Sequence, residues 1–450
     1  MAVAAPWAVA LADAIHSEDA EAALRAGLSA VGAKVAPAEI VRLAALAYAE
    51  AIDASRGTSL RGLLALSSAV RLMRHLSPRI QPLPVLRAIA LAAADKKLPA
   101  SERPRRVKVS GEISHLTRSF EYAIRAGEVA DATSIFSGLL TEGKERVMAG
   151  DILFRVVGED MVEGGHKLVY AVKAWRLASA LGWRRGDLLM GPVIARVATG
   201  IQDDVAYKTL MGIWGKEKVD IAALGSNAGP AEGAERDAIL AALRGPSPEE
   251  CAKGVILALK GGVALDALAS VVVREAAVRA ASSGTYDLAA IGALIYADAA
   301  RWVLRFSRTE SRVLPLLQAC LLLRSQPARR SELRTLTMAN EAAILRDIVS
   351  DIEAGKDLEA AELAHTFLVK GAPMKGLIEL LIYELCKEGP AGHLGYNLTL
   401  ADAAAEEATA YPSRIIQAPV ALARALAQSP KDRGGWPALE KLFGPPPTSS

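Results

Sequence analysis

Cysteine is scarce in this chain. Cys251, Cys320 and Cys386 are the only three in 450 residues, and no two of them form a CxxC. Such spacing cannot build an iron–sulfur cluster or a structural zinc site, so buried, reduced thiols are the expectation. Aromatic residues make up only 5% of the chain, which argues against strands, where they are favoured. Neither sign of charge dominates, with 53 Lys and Arg against 50 Asp and Glu, and this balance points away from a nucleic-acid binder. No apolar run approaches the roughly 20 residues needed to span a membrane. Residues 1–19, MAVAAPWAVALADAIHSED, lack a basic start and meet acids early, so they do not read as a secretory signal. A cytoplasmic location is therefore expected. Walker, GxGxxG and GxSxG motifs are also missing.

What is present is alanine and leucine, in a chain that is 52% hydrophobic. Both are strong helix formers, and their periodicity predicts an all-α protein of about twenty helices punctuated by Gly, Pro, Ser and Asp. The chain also resembles itself. YAIRAGEVADATSIFSGLLTEG (122–143) matches SDIEAGKDLEAAELAHTFLVKG (350–371), with Gly127 on Gly355 and Gly143 on Gly371, both 228 positions apart. The segment 63–91 lies on 294–322 without a gap, Arg74 on Arg305 and Leu83-Pro84 on Leu314-Pro315, an offset of 231. Residues 21–33 fall on 250–262 at offset 229. Small loop insertions and deletions account for the drift. Compositional likeness between Ala/Leu-rich helices does not account for Gly, Pro and His in the same order over some 200 positions. The expectation is two tandem pseudo-repeats of about eight to ten helices each, residues 1–223 and 236–450, joined by a Gly/Ala-rich linker at 224–235. They would pack as one pseudo-twofold body or as a helical-repeat array.

The repeats carry a paired histidine. His166 in EGGHKLVYAV and His393 in PAGHLGYNLT each follow a glycine and open a helix, at offset 227. A helix N-terminus favours neutral imidazole, the form that binds a metal or accepts a proton. A tyrosine lies about one turn on in each case, Tyr170 and Tyr396, and a carboxylate precedes, Asp160 and Glu388. In a twofold body, His166, His393, Asp160 and Glu388 would form a two-His, two-carboxylate set suited to non-haem iron or another divalent metal. The bland alternative is that each histidine bonds to a backbone carbonyl and was copied with its domain. No HExxH or ExxH pair fixes a metal locally. Leu168, Val172 and Trp175 recur at helical spacing and predict one packed face for the helix after His166. Two basic segments, 94–108 and 324–334, hold Arg105-Arg106 and Arg329-Arg330. They read as solvated loops or as a landing place for an anion or acidic partner.

At GGHKLVYAVKAWRLASALGW (164–183), YDLAAIGALIYADAARWVL (286–304) and the stretch 368–404, the chain resembles a bacterial family of helical proteins often found with an attached Rieske domain. It is more distantly similar to the questin-oxidase-like proteins. That resemblance implies oxidative cleavage of a ring C–C bond in quinones with a reduced nicotinamide, with His166 and His393 as the matching histidines. Where family members tend to carry a further histidine, this chain has Gly292, and Arg61 in the first copy. The Rieske domain is absent, so electrons would come from a separate donor protein or from the substrate. Two functions are therefore expected as alternatives. One is an oxidoreductase acting on a hydrophobic small molecule between the repeats, with Tyr170 and Tyr396 bonding to substrate. The other is a non-catalytic helical binding or scaffold protein.

Overall fold

The computed structural model describes the chain apart from residues 1–4, 53, 55–58, 100–108, 141–142, 200–201, 219, 221–232, 328–332, 338–339, 412–413, 432 and 445–450. Among the described residues the regular structure is helical throughout. The first half holds α1 (Pro6–His16), α2 (Ala20–Gly32), α3 (Pro37–Ala51), α4 (Arg61–Leu72), α5 (Pro82–Ala94), α6 (Ile113–Ala126), α7 (Val129–Leu139), α8 (Gly143–Val157), α9 (Val162–Ala180), α10 (Gly186–Ala198) and α11 (Val205–Glu217). The second holds α12 (Gly233–Leu243), α13 (Pro248–Lys260), α14 (Leu265–Ala281), α15 (Leu288–Phe306), α16 (Leu314–Ser325), α17 (Glu341–Ala354), α18 (Asp357–Val369), α19 (Met374–Leu385), α20 (Leu394–Thr409), α21 (Gln417–Gln428) and α22 (Trp436–Phe443).

Local chemistry explains many of these boundaries. Asp19, Ser247, Asp287 and Asn340 each accept a backbone N–H of the first turn they precede. Proline opens α1, α3, α5, α13, α16 and α22, where its missing N–H costs nothing. Gly127 and Gly355 end α6 and α17 in the left-handed conformation, at φ 75° and 71°. A Cβ on Gly127 would meet the Ala198 carbonyl oxygen, and one on Gly355 the Ala427 carbonyl oxygen.

Helix partners recur in the two halves. α1 packs on α2 and α12 on α13; α4 on α5 and α15 on α16; α7 on α10 and α18 on α21; α9 on α10 and α20 on α21. Contacts between the halves follow the same exchange: α4 lies on α20 and α15 on α9, while α4 also meets α9 and α15 meets α20. Four central helices, α4, α9, α15 and α20, thus form the middle of the molecule. One hydrophobic core runs without a break from Leu11 to Phe443. Burial in it is what stabilises these Ala-rich helices, since propensity alone holds only marginal ones.

The expected linker 224–235 falls mostly outside the described residues, and its last three positions are already in α12. Arg105-Arg106 and Arg329-Arg330 also lie outside them. Lys97 of the first basic segment is not solvated: it is 6% exposed, and its Nζ donates to the Ala92 carbonyl at 2.7 Å. All three cysteines are buried and unpaired. Among the described residues, no helix is long and apolar enough to cross a membrane.

Candidate functional site

The loop before His166 is held from both ends. Asp160 accepts the N–H groups of Val162 and Asp203, at 2.8 and 3.0 Å, and the buried Lys167 ammonium at 2.6 Å. Glu163, Gly164 and Gly165 then take three successive left-handed conformations, φ 53°, 70° and 81°. Gly165 is required twice over, because a Cβ there would also stand 2.2 Å from the Tyr296 ring. Glu163 has no such freedom, and a left-handed non-glycine residue costs about 1–2 kcal/mol. Its carboxylate is tied to Arg196 at 2.8 Å, and its carbonyl accepts from His166 Nδ1.

That last contact sets the tautomer. A carbonyl can only accept, so Nδ1 carries the proton and Nε2 of the neutral ring keeps a lone pair. Nε2 faces the Tyr396 hydroxyl of the other half at 3.4 Å. Burial raises the Tyr396 phenol above its ordinary range, and the Glu163 charge adds to this. The Tyr170 ring stands 6.0 Å from the imidazole, with its hydroxyl 3.3 Å from Ser59 Oγ. Beside His166 and Tyr396 lies a narrow hollow with room for about one water molecule, otherwise walled by Leu64, Val169, Gly292, Ile295, Thr399 and Gly164. α9 contributes three residues to it, α15 and α20 two each, and α4 one. Gly292 has open space where a Cβ would stand.

His393 is placed differently. Its ring stacks on Tyr286 at 3.7 Å with an angle of 7° between planes, and burial lowers its pKa. The Tyr286 hydroxyl donates to Asn397 Oδ1 at 2.9 Å, and Asn397 Nδ2 donates to Glu388 at 2.9 Å. Burial pushes the Glu388 carboxyl up to about 7. Tyr286–Asn397 and Ser59–Tyr170 are both pairs 111 positions apart.

The structure therefore brings His166 to Tyr396 and Tyr170, and Glu388 to Asn397. Asp160 is engaged by Lys167 and by backbone. Among the described residues, no three His, Cys, Asp or Glu side chains gather into a group that could hold a metal ion.

One turn further along the same helices lies a charged interior. Lys173 donates to Asp402 at 2.6 Å, Arg71 to Asp402 at 2.7 Å and to Glu406, and Arg176 to Glu406. Arg301 pairs with Glu407 at 2.6 Å, and Asp298 stands 3.5 Å from Arg176. Burial works against the Asp402 anion, but Arg71, Lys173 and Arg176 prevail and hold it well below the carboxylate range. Burial, with Glu406 beside it, pushes Asp298 up to about 6. The single packed face expected for α9 is corrected here. Lys167 through Ala178 are all buried, because α4, α8, α10 and α15 surround the helix. Comparison with protein families, with curated proteins and with solved structures returns no match for this chain.

Proposed function

We propose that the chain is a tandem duplication whose halves close over a small-molecule site, and that it is an oxidoreductase acting there on a hydrophobic, oxygen-bearing substrate. The observation that carries the site is the His166–Tyr396 pair, one residue from each half, over an apolar hollow where four helices meet. Strained backbone before His166 supports it, since such strain clusters at functional sites. The duplication is supported by the recurring helix partners, the paired glycine caps and the two polar pairs 111 positions apart. The halves are one body with a shared core, rather than an extended array.

His166 acts as a general base through Nε2, taking a proton from a substrate hydroxyl, and Tyr396 bonds to the resulting oxyanion. A deprotonated phenol is electron-rich and easier to oxidise. The oxidative class rests on the resemblance to questin-oxidase-like proteins, with electrons from a reduced nicotinamide or a separate donor protein. A divalent ion on His166 and His393 would require Asp160 to leave Lys167 and Glu388 to leave Asn397, so the residues present do not fit it as a four-ligand site.

The test is oxygen uptake with a hydroxyanthraquinone and NADPH, beside binding of the quinone followed by tryptophan quenching, in wild type, His166→Ala and Tyr396→Phe. Uptake lost in both variants, with folding retained, is the expected result. A second reading, a non-catalytic binding protein, draws on His393, which stacks on Tyr286. Binding without uptake would support that reading, and the absence of both would sink the site. Metal analysis of iron-supplemented protein should find less than a tenth of an equivalent of iron, whereas an equivalent lost in His166→Ala would restore the metal reading.

A further inference from the structure

Each half has a cleft behind its histidine loop. The first is the roomier and includes Asp160 in its lining; the second is narrow and includes Glu388. They match position by position, 228 or 229 residues apart. Ile124 and Val197 form apolar walls in one, and Ile352 and Leu426 in the other. Each has an ion pair between residues 34 positions apart, with the signs exchanged: Arg125 on Glu159 at 2.7 Å, and Lys387 on Glu353 at 2.7 Å.

The remaining positions diverge. Where the first cleft has Val156, Gln202 and Asp204, the second has Glu384, Lys431 and Arg433. Two cations on the loop after α21 thus join Lys387. The Glu384 side chain is 1% exposed, and Oε2 holds Lys387 at 2.8 Å. Its Oε1 is buried with no hydrogen-bond partner. Buried polar atoms are nearly always bonded, so an orphan oxygen on the wall of a cationic cleft marks a place for a ligand atom.

The geometry points to a small-oxyanion site in the second-half cleft, taking a carboxylate- or phosphate-bearing molecule held by Lys387, Lys431 and Arg433 with Glu384 as a donor to one of its oxygens. Glu384 donates only when protonated, and burial pushes it up to about 7, which makes that form available near neutral pH. Tyr383 faces it from its own helix, Cys386 and Lys387 from just beyond the helix end, Glu353 from α17, and Lys431 and Arg433 from the loop after α21. Glu388, also raised to about 7, faces Asn397, Ser429, Lys431 and Arg87. With both acids neutral, the three cations face one carboxylate, Glu353. Bound anion stabilises the protonated acids, so affinity falls as pH rises through about 7.

The experiment is calorimetric titration of the full chain with inorganic phosphate and, separately, citrate, at pH 6 and pH 8. The first-half residues are installed as K431Q, R433D and the pair together, and E384Q supplies a donor at every pH. Wild type should bind at least one of the two anions, at least fivefold more tightly at pH 6. K431Q/R433D should lose at least tenfold, E384Q should narrow the difference between the two pH values, and E384Q/E388Q should remove most of it. The arm that binds tells phosphate from carboxylate chemistry. Circular dichroism checks folding, and if the double variant fails to fold, K431Q alone should still lose about threefold. No heat with either anion at 20 mM, or affinity unchanged in the folded variants, overturns the proposal.

Discussion

Where α4 meets α20, Arg71 reaches Asp402 and Glu406, with Lys173 and Arg176 completing the charge. Where α15 meets α9, the proposed duplication sets Trp302 and Trp175 against Arg71 and Asp402, 231 and 227 residues away. There the contact is aromatic. Phe154 lies edge-on to Trp175 and Trp302 at 5.6 and 5.5 Å, and Phe306 packs on both tryptophans at 5.4 and 4.8 Å. The two joints are thus made of opposite materials, and Arg176 bridges them by standing 5.7 Å over the Trp302 ring. The aromatic joint gains by removing area from water and needs only shape. The ionic joint gains little net energy over an apolar one, but it fails hard when one partner is lost.

Breaking either joint should give the largest effects. Asp402→Asn leaves Lys173 and Arg71 short of a buried anion and should cost about 3–5 kcal/mol in urea unfolding. Trp175→Ala should cost a similar 3–5 kcal/mol through the cavity it leaves. The two should differ in acid. The Asp402 carboxyl is held below its ordinary range, so its stabilisation is present above the unfolded carboxylate pKa and lost as pH falls below it. Unfolding of Trp175→Ala should keep that acid limb, and Asp402→Asn should lose most of it.

For two other acids, between their ordinary range and neutrality, the sign reverses. Glu384 and Glu388 are raised from 4.5 to about 7, so the folded chain binds more protons between those values and stability falls as pH rises across them. The fall should be a few kcal/mol on the order set by 1.36 kcal/mol per pKa unit. E384Q with E388Q should flatten it in a pH series of thermal unfolding.

The histidine loops give a smaller contrast. Gly165→Ala meets Tyr296 and a left-handed backbone, and should cost about 2–3 kcal/mol. Gly392→Ala, whose Cβ would find nothing nearer than 3.9 Å, should cost under about 1 kcal/mol. Smallest is the exchanged ion pair. A double-mutant cycle on Arg125 and Glu159 should return about 0.2–1 kcal/mol, since Arg125 is half exposed. A value above 2 kcal/mol would mean that the cleft desolvates the pair more than its exposure allows.

Helices, caps and the matching glycines were legible in the residues, because local rules decide them: Asn340 caps α17 and Gly355 ends it from chemistry within a few positions. The candidate site was legible only in part. His166 and Tyr396 stood out by their motif, but nothing local shows that they meet each other, since 230 positions separate them. Glu163 and Arg196 went unnoticed because their roles, a left-handed turn and its anchor, depend on tertiary contact. Lys167, Lys173 and Arg176 lie outside the Leu168, Val172 and Trp175 stripe that periodicity marks. Their burial follows from neighbours on every side of α9, which periodicity in a single helix cannot report.

The crossing of α4 onto α20 and of α15 onto α9 also decides what happens if the chain is cut between α11 and α12. Neither fragment could complete the four-helix centre by itself, because each supplies only two of its members. Two co-expressed fragments should recover one another and elute as a single species, whereas either one made alone should aggregate through its uncovered central helices. The halves are then partners before they are domains, and their covalent link raises their local concentration rather than defining where folding units begin and end.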